Sequence, residues 1–131
     1  MTQIAKGEFV VKLEPLAFEG LAGELKLGRM SINKSISGDI VATTVGQMLS
    51  AMTKIGGSAG YVAIEKVDGI LAGKTGTFVL QHTGTMNRGA QSLSVTVVPD
   101  SGTGELVGIT GEFNIIIAGG IHSYEFQYSL P

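Results

Sequence analysis

From Ile121 to Leu130 the chain reads IHSYEFQYSL, and two kinds of residue alternate without a break. His122, Tyr124, Phe126 and Tyr128 fall on one side; Ser123, Glu125, Gln127 and Ser129 fall on the other. A period of two marks a β-strand with one buried face, so the aromatic side is expected to point inward. The stretch YVAIEKVDGILAGKTGTFVLQHTGTM, Tyr61 to Met86, carries β-rich runs on both sides of Asp68-Gly69. Asp-Gly between such runs predicts a type I′ hairpin turn, because both residues tolerate the positive φ its central positions need. A two-residue turn there sets Val67 opposite Ile70 and Glu65 opposite Ala72. Tyr61, Ala63, Glu65, Ala72, Lys74, Phe78, Leu80 and His82 then share one face, with Gly73 and Gly76 leaving room for a bulge.

Glycine punctuates the rest: 20 glycines stand against 3 prolines, which marks turns and leaves little room for helices. Turn signals fall at Pro15, Glu19 to Gly23, Ser37-Gly38-Asp39, Gly56-Gly57-Ser58, Asp68-Gly69, Asn87-Arg88-Gly89, Pro99 to Gly104 and Gly119-Gly120. Between them fit eight strands, at roughly 5–14, 24–36, 39–54, 59–67, 70–84, 90–98, 112–118 and 121–130. Val45 to Met52 contains good helix formers, but β-branched Val41, Thr43 and Thr44 beside it favour a strand. Glu105-Leu-Val-Gly-Ile predicts one short helical turn near 103–109, with Ser101 or Thr103 available as its cap. Eight antiparallel strands with short links close into a barrel, which removes exposed edges and encloses side chains or one small ligand. No repeat or change of composition divides the chain, so residues 1–131 are expected to form a single all-β domain.

Composition narrows the function classes. Apolar residues make up 44% and charged residues 15%, which excludes a disordered chain and favours some buried intersubunit surface. A net charge of -2 without any Lys/Arg cluster gives no field for a phosphate backbone, so nucleic acid is not expected as a partner. The absence of cysteine removes disulfides, thiolate metal sites and thiol nucleophiles. Lys6 and Glu8 stand where a signal peptide needs an apolar run, and nothing approaches the ~18 apolar residues of a membrane span. A cytoplasmic protein with no membrane partner is the expectation.

The succession AIEKVDGILAGKTGTFVLQHTGT, VVPDSGTGELVGITGEF and HSYEFQY resembles a family of small bacterial and fungal proteins known only as a domain of unknown function. The shared pattern is a Glu-Arg/Lys-hydrophobic strand, a Gly-rich hairpin ending Phe-Val-Leu-Gln-His, a Ser-Gly-Thr-Gly-Glu-Leu turn and a closing His-x-Tyr strand. It is met here at Glu65, Lys66, Phe78 through His82, Ser101 through Leu106, His122 and Tyr124. The resemblance implies a barrel similar to that of allene oxide cyclase, of calycin-like type, without implying cyclase activity. The chain departs from the pattern near its N-terminus, where the family carries a Trp and this sequence has none.

Glu65 is the first candidate for chemistry, a carboxylate in an apolar strand on the inward face. Desolvation there raises a carboxyl's pKa and prepares a general acid or base; otherwise Glu65 sits at a barrel mouth or pairs with Lys74 or Arg29. His82 and His122, the two histidines, could join Glu65 in a two-His, one-carboxylate metal set, but their spacing gives no support for coordination. Histidines so placed more often hydrogen-bond a carbonyl or a tyrosine hydroxyl. Tyr124, Tyr128, Phe78 and Phe126 either line an apolar pocket or fill the core. Met30, Met48 and Met52 read as packing or interface residues. The Ser101-Gly-Thr-Gly-Glu-Leu stretch lacks the Lys and the βαβ setting of a phosphate loop, and no G-x-S-x-G is present.

The expected function is therefore binding of a small apolar or aromatic molecule inside the barrel, in contact with Tyr61, Glu65, Phe78, Leu80, His82, His122, Tyr124 and Phe126. An isomerase or cyclase with Glu65 as general acid or base beside Tyr124 is the alternative; a structural oligomer without a ligand is a third. A homo-oligomer is expected because Val62, Ile64 and Val79 gather into an outward apolar patch. No cofactor is expected. Elemental analysis of the purified protein should find no stoichiometric transition metal, whereas metal that disappears in His82→Ala would establish the metal set.

Overall fold

The computed structural model describes residues 2–18 and 26–131. They form one closed antiparallel barrel in sequence order, β1 (Gln3–Leu16), β2 (Lys26–Gly38), β3 (Ile40–Met52), β4 (Ala59–Leu71), β5 (Lys74–Asn87), β6 (Ala90–Val97), β7 (Thr110–Ala118) and β8 (Ile121–Ser129). β8 returns to pair with β1, from Gln3↔Tyr128 to Phe9↔His122. Among the described residues a single 3-10 turn, Gly104–Leu106, interrupts the strands where the sequence predicts one, and Thr103 caps it without a side-chain hydrogen bond. Val45 to Met52 is strand, as its β-branched neighbours require. The predicted turn at Glu19 to Gly23 and the start of the predicted 24–36 strand lie outside the described residues. Among the described residues no helix is long and apolar enough to cross a membrane.

Two turn assignments change. Pro15 lies inside β1, opposite Met30. Asp68-Gly69 lies inside β4, and the hairpin turns instead at Ala72-Gly73, with φ of 48° and 84° and Leu71 paired to Lys74. Glu65 therefore faces Leu80 rather than Ala72. The later turn lengthens both strands and lets Leu71 bury itself beside Ile40. Gly69 serves another need: a Cβ there would overlap the carbonyl oxygen of Val41 and lie 2.6 Å from Ala42 Cα. The turn has moved by four residues, an even number, so the residues before Asp68 and from Lys74 onward keep their predicted face, whereas Ile70 and Ala72, expected inward, turn out and Leu71 turns in. Arg88-Gly89 and Gly119-Gly120 make the same kind of two-residue turn.

The barrel is filled at one end. Phe78 stacks on Phe126 at 5.6 Å, Phe126 on Tyr128 at 5.3 Å and Phe113 on Tyr124 at 5.1 Å. Ile40, Leu71, Leu106 and Ile109 close that end. β6 meets β7 through one pairing, Thr96↔Glu112, and its pairing with β5 ends at Leu80↔Val97, so β5 outruns it. The Ser-Gly-Thr-Gly-Glu block covers the exposed edge: Val79, Thr77 and Thr75 donate their N–H groups to Ser101 Oγ, Thr103 Oγ1 and Glu105 Oε1 at 3.0 Å each. That motif replaces a strand edge. A Cβ on Gly76 would overlap the Thr103 carbonyl, so the close approach needs glycine.

Ala72 adopts a left-handed conformation that costs an alanine about 1 kcal/mol and an asparagine less. Ala72→Asn should stabilise the fold by about 0.5–1 kcal/mol, while Gly69→Val should destabilise it by roughly 1–3 kcal/mol through overpacking. Urea denaturation of the two variants tests both signs, and an unaffected Gly69→Val would show that β3 and β4 do not approach so closely.

Candidate functional site

Below the open half of the barrel, four consecutive strands each place one polar side chain on the inner wall: Lys34 from β2, Thr44 from β3, Glu65 from β4 and His82 from β5. All four are buried, and Glu65 is 0% exposed. Glu65 Oε1 accepts from Lys34 Nζ at 3.1 Å and from His82 Nε2 at 2.9 Å. Its Oε2 accepts from Thr44 Oγ1 at 2.6 Å, and Thr44 Oγ1 in turn accepts the Lys34 N–H at 3.0 Å. Gly46 stands opposite Glu65, where a Cβ would lie 2.8 Å from Glu65 Cα, so a larger residue would displace the carboxylate's strand. The Lys34 ammonium sits 4.7 Å from the centre of the Phe9 ring and 5.8 Å from that of Phe113, which adds cation–π attraction.

Burial by itself pushes the Glu65 carboxyl up. The His82 hydrogen bond, the Lys34 charge and the Thr44 hydrogen bond outweigh it and hold the group at about 2. An ionised carboxylate only accepts, so His82 Nε2 carries the hydrogen; in a neutral imidazole Nδ1 is then the acceptor for the Tyr61 hydroxyl, 3.4 Å away. Burial, then the Glu65 charge, raises the Tyr61 phenol above its ordinary value and keeps it protonated. Tyr61 lies across Gly84, its cross-strand partner, with Cδ1 2.8 Å from where a Cβ would stand.

Tyr61, Met48, Met52, Met86, Gly84 and Leu93 line a cavity of about 320 Å³ at the open end. Of the residues singled out from the sequence, Tyr61, Glu65 and His82 are brought together. Phe78, Leu80, Tyr124 and Phe126 instead lie in the filled half, at most 2% exposed, and do not line this cavity. The Tyr124 hydroxyl donates to the Ser37 carbonyl at 2.7 Å and accepts the Ile40 N–H at 3.0 Å, rather than meeting Glu65. His122 is half-buried against Phe9, with ring centres 5.4 Å apart, and is not hydrogen-bonded to Glu65 or His82. Glu65 pairs with Lys34, not with the expected Lys74 or Arg29. Sequence reasoning missed Lys34 and Thr44, although Ile32-x-Lys34-x-Ile36 alternates as an inward strand face should. Met48 and Met52, read as packing or interface residues, line the cavity.

A closed eight-stranded barrel with a buried carboxylate–lysine–histidine network at the base of an apolar mouth is the class that these features define. The family described as "Protein of unknown function (DUF3224)" matches residues 5–128, and the chain belongs to it. A crystal structure of a DUF3224 protein with unknown function from Shewanella oneidensis MR-1 is 46% identical, with a TM-score of 0.95. The match covers 100% of this chain and 98% of that one. No curated protein matches the chain.

Glu65 titrates at about 2 in the fold against 4.5 ordinarily, so its ionised form contributes about 3 kcal/mol of stability above pH ~4.5 that disappears as pH falls through ~2. Glu65→Gln should remove this part of the acid dependence and strand the Lys34 charge, at a cost of roughly 3–5 kcal/mol at pH 7. Denaturation midpoints of both proteins from pH 7 to pH 2 test it; parallel curves would refute the network's role.

Proposed function

We propose that the protein binds a small, largely apolar molecule in the open mouth of the barrel, anchored by one hydrogen bond to Tyr61. The cavity of about 320 Å³, set above the buried network while the opposite end is packed, carries the proposal. Its volume lies at the small end of ligand sites, and three methionines give it an adaptable apolar wall. With the Tyr61 O–H directed to His82 Nδ1, the phenol oxygen keeps its lone pairs for a ligand's hydroxyl. A hydroxylated apolar or aromatic compound is the chemical class that fits. The isomerase or cyclase alternative loses support, since Glu65 is sealed from the cavity with both oxygens engaged, and Tyr124 belongs to the filled end.

Calorimetric titration with 1-naphthol and 1-methoxynaphthalene tests this. The naphthol should bind saturably and about two- to tenfold tighter, the worth of one hydrogen bond. Tyr61→Phe should abolish the preference, and Leu93→Glu should abolish binding of both. Failure of these probes and of a broader apolar library in native mass spectrometry would reject the binding function.

A further inference from the structure

The outer surface of the barrel is uneven. On β1 the outward positions include Lys6, Glu8, Lys12 and Glu14, as expected of a wall facing water. Across β3, β4 and β5 the outward positions hold only two charges, Lys66 and Asp68, in neighbouring outward places on β4. Around them Val41, Val45, Ile64 and Ile70 are 59%, 60%, 53% and 44% exposed. Val41 pairs with Ile70, and Val45, opposite Lys66, lies diagonal to Ile64, so these side chains form two contiguous apolar clusters, one on each side of the charged pair. Contiguous apolar surface of this kind on a monomer marks an interaction site.

We propose that this face is the interface of a two-fold symmetric homodimer, with the axis lying between the two sheets, perpendicular to β4 at the level of Val67. The charges select a second copy as the occupant. Lys66 and Asp68 form no ion pair among the described residues. They stand two residues apart on one strand, roughly 7 Å. A two-fold axis between them sets each Lys66 against the partner's Asp68 and each Ile64 against the partner's Ile70, the reciprocal pattern that an isologous contact requires. Two charges of one sign at these positions would repel across the axis. Three strands at ~4.8 Å spacing and ~3.3 Å rise per residue, 13 or 14 residues long, give roughly 600 Å² in projection before side-chain relief. A stable dimer needs about 800 Å² per subunit. The contact is independent of the mouth of the barrel, so it stands or falls apart from ligand binding.

Light scattering after size exclusion at micromolar concentration tests the proposal. The wild type should be a dimer. Lys66→Glu alone and Asp68→Lys alone should each shift it toward monomer, by placing like charges across the axis. The double variant Lys66→Glu/Asp68→Lys should restore the dimer. Both positions are exposed, and circular dichroism checks that each variant folds; Ile70→Glu gives a second route to the monomer. A monomeric wild type, single swaps that leave the dimer intact, or a folded double variant that stays monomeric would overturn the interface.

Discussion

The buried carboxylate of Glu65 is the constraint around which the barrel is arranged. An ionised group without solvent costs several kcal/mol unless charge and hydrogen bonds compensate it. Here the compensation comes from three other strands, through Lys34, Thr44 and His82. That dependence couples chemistry to register. Slipping β2 by one residue would turn Lys34 to the outside and leave Glu65 uncompensated, and the same holds for β3 and β5. A packed apolar layer at this level tolerates such errors more readily than a hydrogen-bonded ion does.

The network also divides the interior. Below it the aromatic stack and the residues around the 3-10 turn leave no room, and Lys34 lies over Phe9 and Phe113 at the boundary. Above it the wall changes to methionine, leucine and glycine, and Tyr61 links the two regions through His82. The part of the network that reaches the cavity is thus a neutral phenol, while the full charge stays sealed beneath. That arrangement suits recognition of a weakly polar molecule better than acid–base chemistry by Glu65 itself.

The motif at Ser101 to Leu106 has a structural explanation of the same kind. Its hydroxyls and carboxylate accept the β5 N–H groups that β6 is too short to pair, and Leu106 reaches into the core. A glycine-rich polar loop that looks suited to phosphate is in this fold the substitute for a missing strand edge.

Alternation along IHSYEFQYSL and the spacing of glycine turns were enough to give eight strands, a closed barrel and the inward side of Glu65, His82 and Tyr124, because the period of two is a local property of the extended chain. The helical turn near 104–106 was legible for the same local reason. Where the hairpin turned was not: Ala72 carries no turn signal, and Asp68-Gly69 was drawn into β4 by the burial of Leu71 and the close approach of Val41 and Ala42. Lys34 was visible only as a member of an alternating strand, since a lysine's partner across 31 residues is set by register and not by spacing. Which inward residues line a cavity and which fill the core was likewise beyond the sequence. Parity places Tyr61 and Phe78 on one face, and only their heights in the closed barrel put one at the mouth and the other in the packed end.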